Sequence, residues 1–163
     1  MNLNQVSFII NDFFDSHLQV NTIMNGNAKD FIAKRDKEYF AVNYEFINSG
    51  INGKIMNFNF SITIGDLLNE AHDNENNIFS DCLTIAEDFY TYMADVNGVI
   101  FNKSSNIQKF EDGDGDRISG ITFNIQLGVI RSQNICVLPL ESDEVPPINA
   151  NRAFTYQFPY NLD

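Results

Sequence analysis

The sequence predicts an α+β fold, in which a mostly antiparallel sheet carries two main helices and is followed by an extended C-terminal arm. Apolar residues alternate with polar ones along two long segments and recur every three or four residues along two others. The first pattern is typical of half-buried strands and the second of amphipathic helices. With 163 residues and 44% hydrophobic content, the chain is long enough for one sizeable core. We therefore expect a single domain over residues 1–140 and an arm over residues 141–163.

The strongest strand pattern lies in the segment that ends at Ile130. Its apolar side chains fall on every second position, at Ile121, Phe123, Ile125, Leu127 and Val129. Residues 54–64 repeat the design, with Met56, Phe58, Phe60, Ile62 and Ile64 on one face. A shorter alternation over residues 40–46 precedes a loop rich in Asn and Gly at residues 48–53. This arrangement predicts a β-hairpin whose strands turn one face to the core and the other to water or a partner.

Two amphipathic helices are expected to cover the apolar face of this sheet. Residues 3–18 carry one apolar stripe, formed by Val6, Ile9, Ile10, Phe13, Phe14 and His17. Residues 81–94 carry a second stripe, and Ser80 is the expected N-cap of that helix. Residues 21–36 are interpreted as a turn with a solvated loop or short helix, and residues 66–77 as a short helix or an exposed connection.

Two further strands and the arm complete the expected organisation. Residues 99–101 and 135–140 are short apolar runs, and the second is predicted to pair with the long strand that ends at Ile130. The arm holds three of the four prolines, and its aromatic side chains fall two residues apart, at Phe154, Tyr156, Phe158 and Tyr160. Docking on another subunit by strand addition explains these aromatics, and so does packing against the chain's own domain.

Charge and cysteine content narrow the classes of function. A formal net charge of -12 disfavours adhesion to nucleic acid or anionic membranes, although it suits a channel through which DNA slides without sticking. No segment has the roughly 20 apolar residues of a membrane span. The two cysteines, Cys82 and Cys136, lack the spacing of a zinc site. Buried thiols are favoured over a disulfide.

The acidic turn at residues 112–116 is the main candidate for chemistry. Asp112, Asp114 and Asp116 alternate with glycines as in the first half of an EF-hand loop. An EF-hand requires Gly at position six and Glu at position twelve, where this chain has Arg117 and Phe123. A tight hairpin turn is therefore favoured, and a calcium-dependent or carbohydrate-binding β-rich module is the alternative.

Catalytic motifs give little support for an enzyme. No GxSxG, HExxH, Walker-type or GxGxxG pattern occurs. His72 lies among several acidic residues, which favours a solvated surface over a general base or metal ligand. We expect no catalytic activity, no cofactor and no metal; a small hydrolase or inhibitor acting inside a bacterial host is a further alternative.

Three segments, IFSDCLTIAEDFYTYM, FEDGDGDRISGITFNIQLGV and ICVLPL, resemble parts of neck and tail-completion proteins of tailed bacteriophages, in particular crAss-like and other Bacteroidetes phages. The resemblance covers roughly residues 38–140. It implies a structural virion protein, assembled in the host cytoplasm, whose copies form a head-to-tail connector or tail-completion ring of six or twelve subunits. Portal, adjacent connector or tail proteins would be its partners, and DNA would pass through the bore without specific binding.

Pattern alone then indicates which residues would form contacts in such a ring. The polar face of the two long strands and the aromatics of the arm are the expected partner interface: Asn57, Asn59, Thr122, Asn124, Phe154, Tyr156, Phe158 and Tyr160. The loop and turn at the tips of the strands are expected to touch the next layer of the particle through Asn52, Asp112, Asp114 and Asp116.

Overall fold

The computed structural model describes residues 1–34, 37–102, 106–112 and 117–131. They belong to a compact unit, Met1–Ser132, and the chain has a second unit, Gln133–Asp163, that lies outside the described residues. The predicted α+β class is confirmed, with most strand pairs antiparallel. None of the described helices is long and apolar enough to cross a membrane.

Three helices and six strands make up the described part of the chain. The helices are α1 (Leu3–Ser16), α2 (Ala28–Ala33) and α3 (Glu75–Asp95), and the strands are β1 (Thr22–Asn25), β2 (Ala41–Asn52), β3 (Ile55–Leu67), β4 (Val99–Asn102), β5 (Ile107–Asp112) and β6 (Ile118–Ile130). The strands form one mixed sheet in the order β1-β2-β3-β6-β4, and β5 pairs with the same edge of β6 as β4.

The predicted hairpin is formed by β2 and β3, but its strands are longer than expected. β2 continues to Asn52, which pairs with Ile55, so the loop expected over residues 48–53 is reduced to Gly53 and Lys54. Gly53 has φ +56, as the first central residue of a two-residue hairpin turn often requires. The Asn and Gly residues of this segment favour a turn. Their pairing with β3 overrides that preference, and the segment is part of a strand.

β1 is a strand that the sequence pattern did not predict. It pairs in parallel with β2, from Thr22 opposite Ala41 to Asn25 opposite Tyr44. The connection between them contains α2, in line with the short helix considered for residues 21–36. Parallel neighbours require such a crossover. With only four residues, β1 is too short to show a clear alternation of apolar and polar side chains.

α3 begins one and a half turns earlier than the predicted helix over residues 81–94. Asn74 occupies the N-cap position without a side-chain hydrogen bond, and Glu75 is the first helical residue. The expectation that Ser80 caps this helix is wrong, because Ser80 lies inside it and its carbonyl accepts a hydrogen bond from Thr84 Oγ1 at 3.0 Å. Burial of Ile78 against the core explains why the helix extends through this polar first turn.

The core lies between one face of the sheet and helices α1 and α3. Phe14 of α1 stacks on Phe89 of α3 with ring centroids 5.1 Å apart and planes 8° from parallel. Phe89 also meets Phe123 of β6 at 6.4 Å. Strand β6 and both helices thus contribute to one aromatic cluster, which fixes the helices on this side of the sheet.

The opposite face of the sheet is covered at one corner only, where α2 meets β2. Glu45 of β2 accepts a hydrogen bond from the backbone N-H of Ala28 at 3.3 Å, which places a carboxylate at the N-terminus of α2. Asn43 Nδ2 donates to the Gly26 carbonyl at 2.9 Å. At the other end of α2, Lys37 Nζ donates to the Phe31 carbonyl at 2.6 Å. The rest of this face carries no other described helix.

Candidate functional site: the open face of the sheet

The uncovered side of β3, β6, β4 and the second half of β2 forms a continuous polar surface, which we call the open face. Cross-strand register places Asn57 opposite Gly128, Asn59 opposite Gln126 and Thr63 opposite Thr122. Because alternate strand residues share a face, the four interface candidates that lie on these strands come together here: Asn57, Asn59, Thr122 and Asn124.

Four side-chain amides form a hydrogen-bonded chain across the open face, which we call the amide row. Asn102 Nδ2 of β4 donates to Gln126 Oε1 at 2.9 Å, and Gln126 Nε2 donates to Asn59 Oδ1 at 3.0 Å. Asn59 Nδ2 then donates to Asn48 Oδ1 of β2 at 2.6 Å. The row connects four strands and runs from one edge of the sheet to the other. Each amide fixes the rotamer of its neighbour, so the surface is preorganised.

Hydroxyl groups continue this polar surface next to the amide row. Thr63 Oγ1 and Thr122 Oγ1 lie 3.3 Å apart, and Thr122 Oγ1 also donates to the Ile62 carbonyl at 3.3 Å. Between them and the amide row, Ser61 lies opposite Asn124, whose side chain is exposed. These side chains are uncharged, so the surface offers hydrogen bonds without a strong field of either sign.

A shallow groove of about 520 Å³ follows the amide row. The polar residues that line it include Asn48, Asn59, Asn124 and Gln126, and Ile47 adds an apolar wall. Ile47 and Asn48 lie at a β-bulge, where the register shifts between Phe46 and Asn48. A bulge turns side chains of successive residues toward the same side, and here it brings Ile47 beside Asn48 on the groove.

Phe110 of β5 and two glycines close the far end of the open face. Gly65 and Gly120 pair directly across β3 and β6. A Cβ built on Gly120 would lie 2.0 Å from the Ile64 carbonyl oxygen, and one built on Gly65 would lie 3.2 Å from the Phe110 ring. The strands therefore approach too closely at Gly120 for any side chain, and the Phe110 ring covers the glycine pair.

The other end of the open face is apolar and exposed. Ile130 of β6 is 65% exposed and Ile100 of β4 is 40% exposed. On the β2 side, Ile47 is 50% exposed. Isolated exposed apolar residues are common. Here three lie close together on one face of a sheet, which favours contact with another protein surface.

The outer edge of β2 has no described partner along its second half. β1 pairs with β2 only as far as Tyr44. From Phe46 to Asn52, no described strand lies on the outer side of β2, although β3 pairs with its inner side. Backbone N-H and C=O groups along such an edge can pair with another strand.

Cys82 is a buried thiol, as the sequence predicted. It is fully inaccessible, and Sγ lies 3.6 Å from the Ile64 carbonyl oxygen. Burial raises the pKa of its thiol to about 12, and the nearby carboxylates of Asp66 and Asp81 add to the rise. Burial also raises the pKa of Asp66 itself. A thiol with so high a pKa is a poor nucleophile at neutral pH.

Each histidine has one acidic partner among the described residues. His17 Nε2 lies 3.3 Å from Asp88 Oδ2, joining the end of α1 to α3. His72 lies in the exposed turn before α3, and its Nδ1 is 3.4 Å from Glu111 Oε1. Among the described residues, no three His, Cys, Asp or Glu side chains are close enough to hold a metal ion.

The remaining site candidates fall in two groups. Asn52 is the exposed last residue of β2 at the hairpin tip, and Asp112 is the last residue of β5, paired with Ile118 of β6. β5 pairs directly with β6, and residues 113–116 between them lie outside the described part of the chain. Other candidates lie outside the described residues: Asp114, Asp116, Cys136, Phe154, Tyr156, Phe158 and Tyr160, together with the expected strand over residues 135–140.

Pattern alone missed three members of the amide row: Asn48, Asn102 and Gln126. Gln126 lies at a polar position of the long alternating strand, between Ile125 and Leu127, so its face was readable from the sequence. To place Asn48 and Asn102 in the amide row, the cross-strand register must be known, and the position of Asn48 also depends on the bulge.

Comparison with known proteins adds no family to this description. No protein-family model matches the sequence, and no curated protein matches it. The candidate function therefore depends on the open face, on the free edge of β2 and on the resemblance carried by the three segments named above.

Proposed function

We propose that this protein is a structural subunit of a head-to-tail connector or tail-completion ring of a tailed bacteriophage, through which DNA passes. The resemblance of residues 38–140 to neck and tail-completion proteins supplies the class of particle. The architecture suits such a role, because α1 and α3 cover one side of the sheet, and among the described residues only α2 lies on the other side, at one corner.

The observation that carries the proposal is the combination of an ordered, uncharged open face with exposed isoleucines at its end. The amide row holds its side chains in place before any partner binds, so association costs little side-chain entropy. Ile47, Ile100 and Ile130 provide apolar area beside it. Protein interfaces combine an apolar patch with fixed hydrogen-bonding groups in this way.

Where neighbouring subunits leave it uncovered, the same face suits a DNA passage. No Lys or Arg occurs in the strand segments 57–63 and 122–126. Because proteins bind DNA phosphates mainly through Lys and Arg side chains, DNA would not adhere to this surface. The net charge of -12 further lowers adhesion to phosphates. DNA would move past amides and hydroxyls that exchange hydrogen bonds readily with water.

Electron microscopy of the purified full-length protein tests the ring directly. At micromolar concentration we expect closed rings of six or twelve copies in negative stain. Antibodies against the protein should label the junction between head and tail of phage particles that carry it. Particles that contain no copy of the protein at this junction would contradict the assignment to a connector.

A charge variant tests whether the open face lines the passage. Asn124 is exposed and lies beside Ser61, so Asn124→Arg should fold. In a ring, the arginines of all copies would lie around the bore and attract the phosphates of DNA. We therefore expect salt-dependent binding of duplex DNA by the variant and none by the wild type. Leu18→Arg is the control, because Leu18 is 99% exposed at the end of α1, on the helix-covered side. Equal DNA binding by both variants would contradict the orientation.

A further inference from the structure

β2 has no described partner on the outer side of its second half. Its outer side is paired by β1 up to Tyr44 and by no described strand from Phe46 to Asn52. Residues 47–52 therefore form a notch in line with β1. A strand of about six residues, roughly 20 Å long, would fill it.

This edge carries the β-bulge between Phe46 and Asn48, but it lacks the charges and prolines of most protected edges. Natural edge strands carry Lys, Pro or inward charges that prevent pairing with other chains. β5, on the other side of the sheet, follows that rule: Lys109 lies 2.5 Å from Glu75 of α3 and 4.3 Å above the Phe79 ring. Along residues 46–52 of β2 there is no charge and no Pro, and Ile47 and Ile51 are exposed.

One segment of the chain has the composition to occupy such an edge. Residues 153–158, AFTYQF, are uncharged and place aromatics at alternate positions, in a chain with a formal net charge of -12. Strand addition uses backbone hydrogen bonds for affinity and alternate side chains for specificity. Pro159 follows and would end the pairing, because it has no N-H to donate.

We propose that residues 153–158 of one copy add as a strand to the edge of β2 at residues 47–52 of a neighbouring copy. This inference rests on the proposed function, because it supplies the contact that joins subunits into a ring. Each copy would give one strand and receive one. A head-to-tail exchange of this kind closes into a ring when the rotation between copies allows it.

Chain length permits the exchange. β6 ends beside the hairpin turn, where the Arg131 N-H donates to the Lys54 carbonyl at 2.8 Å. Residues 132–152 then precede the donated segment, and an extended chain of this length spans up to about 70 Å. That reach exceeds the width of a small domain, so a neighbour's edge is accessible.

Cysteine cross-linking in the full-length protein tests the contact. Ser49 is exposed near the centre of the notch and Thr155 lies near the centre of the donated segment. Ser49 lies opposite Thr155 if the strand adds in parallel orientation and one residue away from it if the strand adds in antiparallel orientation, and a bismaleimide spans either separation. In a Cys136→Ser background, Ser49→Cys together with Thr155→Cys should give a ladder of covalent multimers with a short bismaleimide. Cys82 is left unchanged, because it is buried.

Single variants and a displaced pair serve as controls. Ser49→Cys alone or Thr155→Cys alone should give no multimers, and mixing the two singly substituted proteins during assembly should give a covalent dimer. Leu18→Cys combined with Thr155→Cys should give no ladder, because Leu18 lies at the end of α1 and is 99% exposed. A dimer from Ser49→Cys alone would show that two β2 edges pair with each other and would overturn the proposal.

The remaining outcomes separate this inference from the proposed function. If the doubly substituted protein assembles into rings without a ladder, strand exchange is overturned and the ring stands. A cross-link within one chain of a monomeric protein overturns both, and so does a monomer without any cross-link.

An edge lysine gives a second, independent test. Ile51 is 60% exposed, so Ile51→Lys should leave the subunit folded while placing a charge on the receiving edge. We expect self-association to weaken by about tenfold or more. Leu18→Lys is the control, because Leu18 is 99% exposed just beyond the end of α1, away from the edge and from the open face. Equal weakening by the two variants would contradict the role of the β2 edge.

Discussion

The two faces of the same sheet show opposite uses of strand alternation. On the helix-covered face, Phe58, Phe60 and Phe123 are buried against α1 and α3. One residue along, Asn59 and Asn124 belong to the open face, where amides bond to each other across strands and remain near water. Folding free energy is thus concentrated on one face. The other face contributes less to folding, and we assign association to it.

The largest expected effect comes from placing a charge on the covered face. Phe123 is 2% exposed and meets the rings of Phe89 and Tyr90. Phe123→Asp would bury a carboxylate without a partner, at a cost of about 4 kcal/mol or more. We expect no cooperative unfolding transition by circular dichroism. Asn124→Asp, the adjacent residue on the open face, should change the free energy of unfolding by less than about 0.5 kcal/mol; similar losses in both variants would contradict the division of roles.

Glycine replacement tests where the open face has a structural requirement of its own. Gly120→Ala would place a Cβ 2.0 Å from the Ile64 carbonyl oxygen and force β3 and β6 apart. We expect the free energy of unfolding to fall by about 3 kcal/mol, measured by urea titration. Gly50→Ala is the control, because no atom lies within 4 Å of the added Cβ. A loss at Gly50 equal to that at Gly120 would contradict the close approach.

Part of this contrast was readable from the sequence. Alternation over residues 54–64 and 120–130 predicted both long strands and which side chains share each face. The length of β2 was not readable, because Asn48, Ser49 and Gly50 are turn formers and pairing with β3 overrides their preference. The amide row depends on register across four strands and on one bulge. Local sequence carries no signal for such long-range pairing.

The pKa of Cys82 tests how well α3 seals the covered face. An unfolded cysteine has a pKa of about 8.5, whereas burial raises the pKa of Cys82 to about 12. The folded protein therefore holds the thiol proton of Cys82 more tightly than the unfolded chain does. The contribution of Cys82 to the free energy of unfolding is complete below about pH 8.5 and declines as the pH rises toward 12. Relative to Cys82→Ala, we expect the free energy of unfolding to decline by up to about 1.4 kcal/mol per pH unit in this window. Parallel pH profiles for the two proteins would show that water reaches the thiol.

The smallest effect on stability is expected in the amide row. Asn59→Ala removes the hydrogen bonds to Asn48 and Gln126, and the freed groups can turn to water. We expect a loss of about 1 kcal/mol in the free energy of unfolding and a clear weakening of self-association in sedimentation velocity. Asn76→Ala on the exposed first turn of α3 is the control. If Asn59→Ala lowers the free energy of unfolding but leaves self-association unchanged, the amide row acts in folding and not in association.

Mass photometry of the full-length protein over a dilution series tests the central claim most directly. If the open face and the β2 edge bind other copies, a single species of several copies should persist at the lowest concentrations. The variant Ile51→Lys should shift it toward the 18.6 kDa subunit. A wild-type protein that is monomeric at every concentration, alone and mixed with purified portal or tail proteins, would contradict the claim that this side of the sheet exists for assembly.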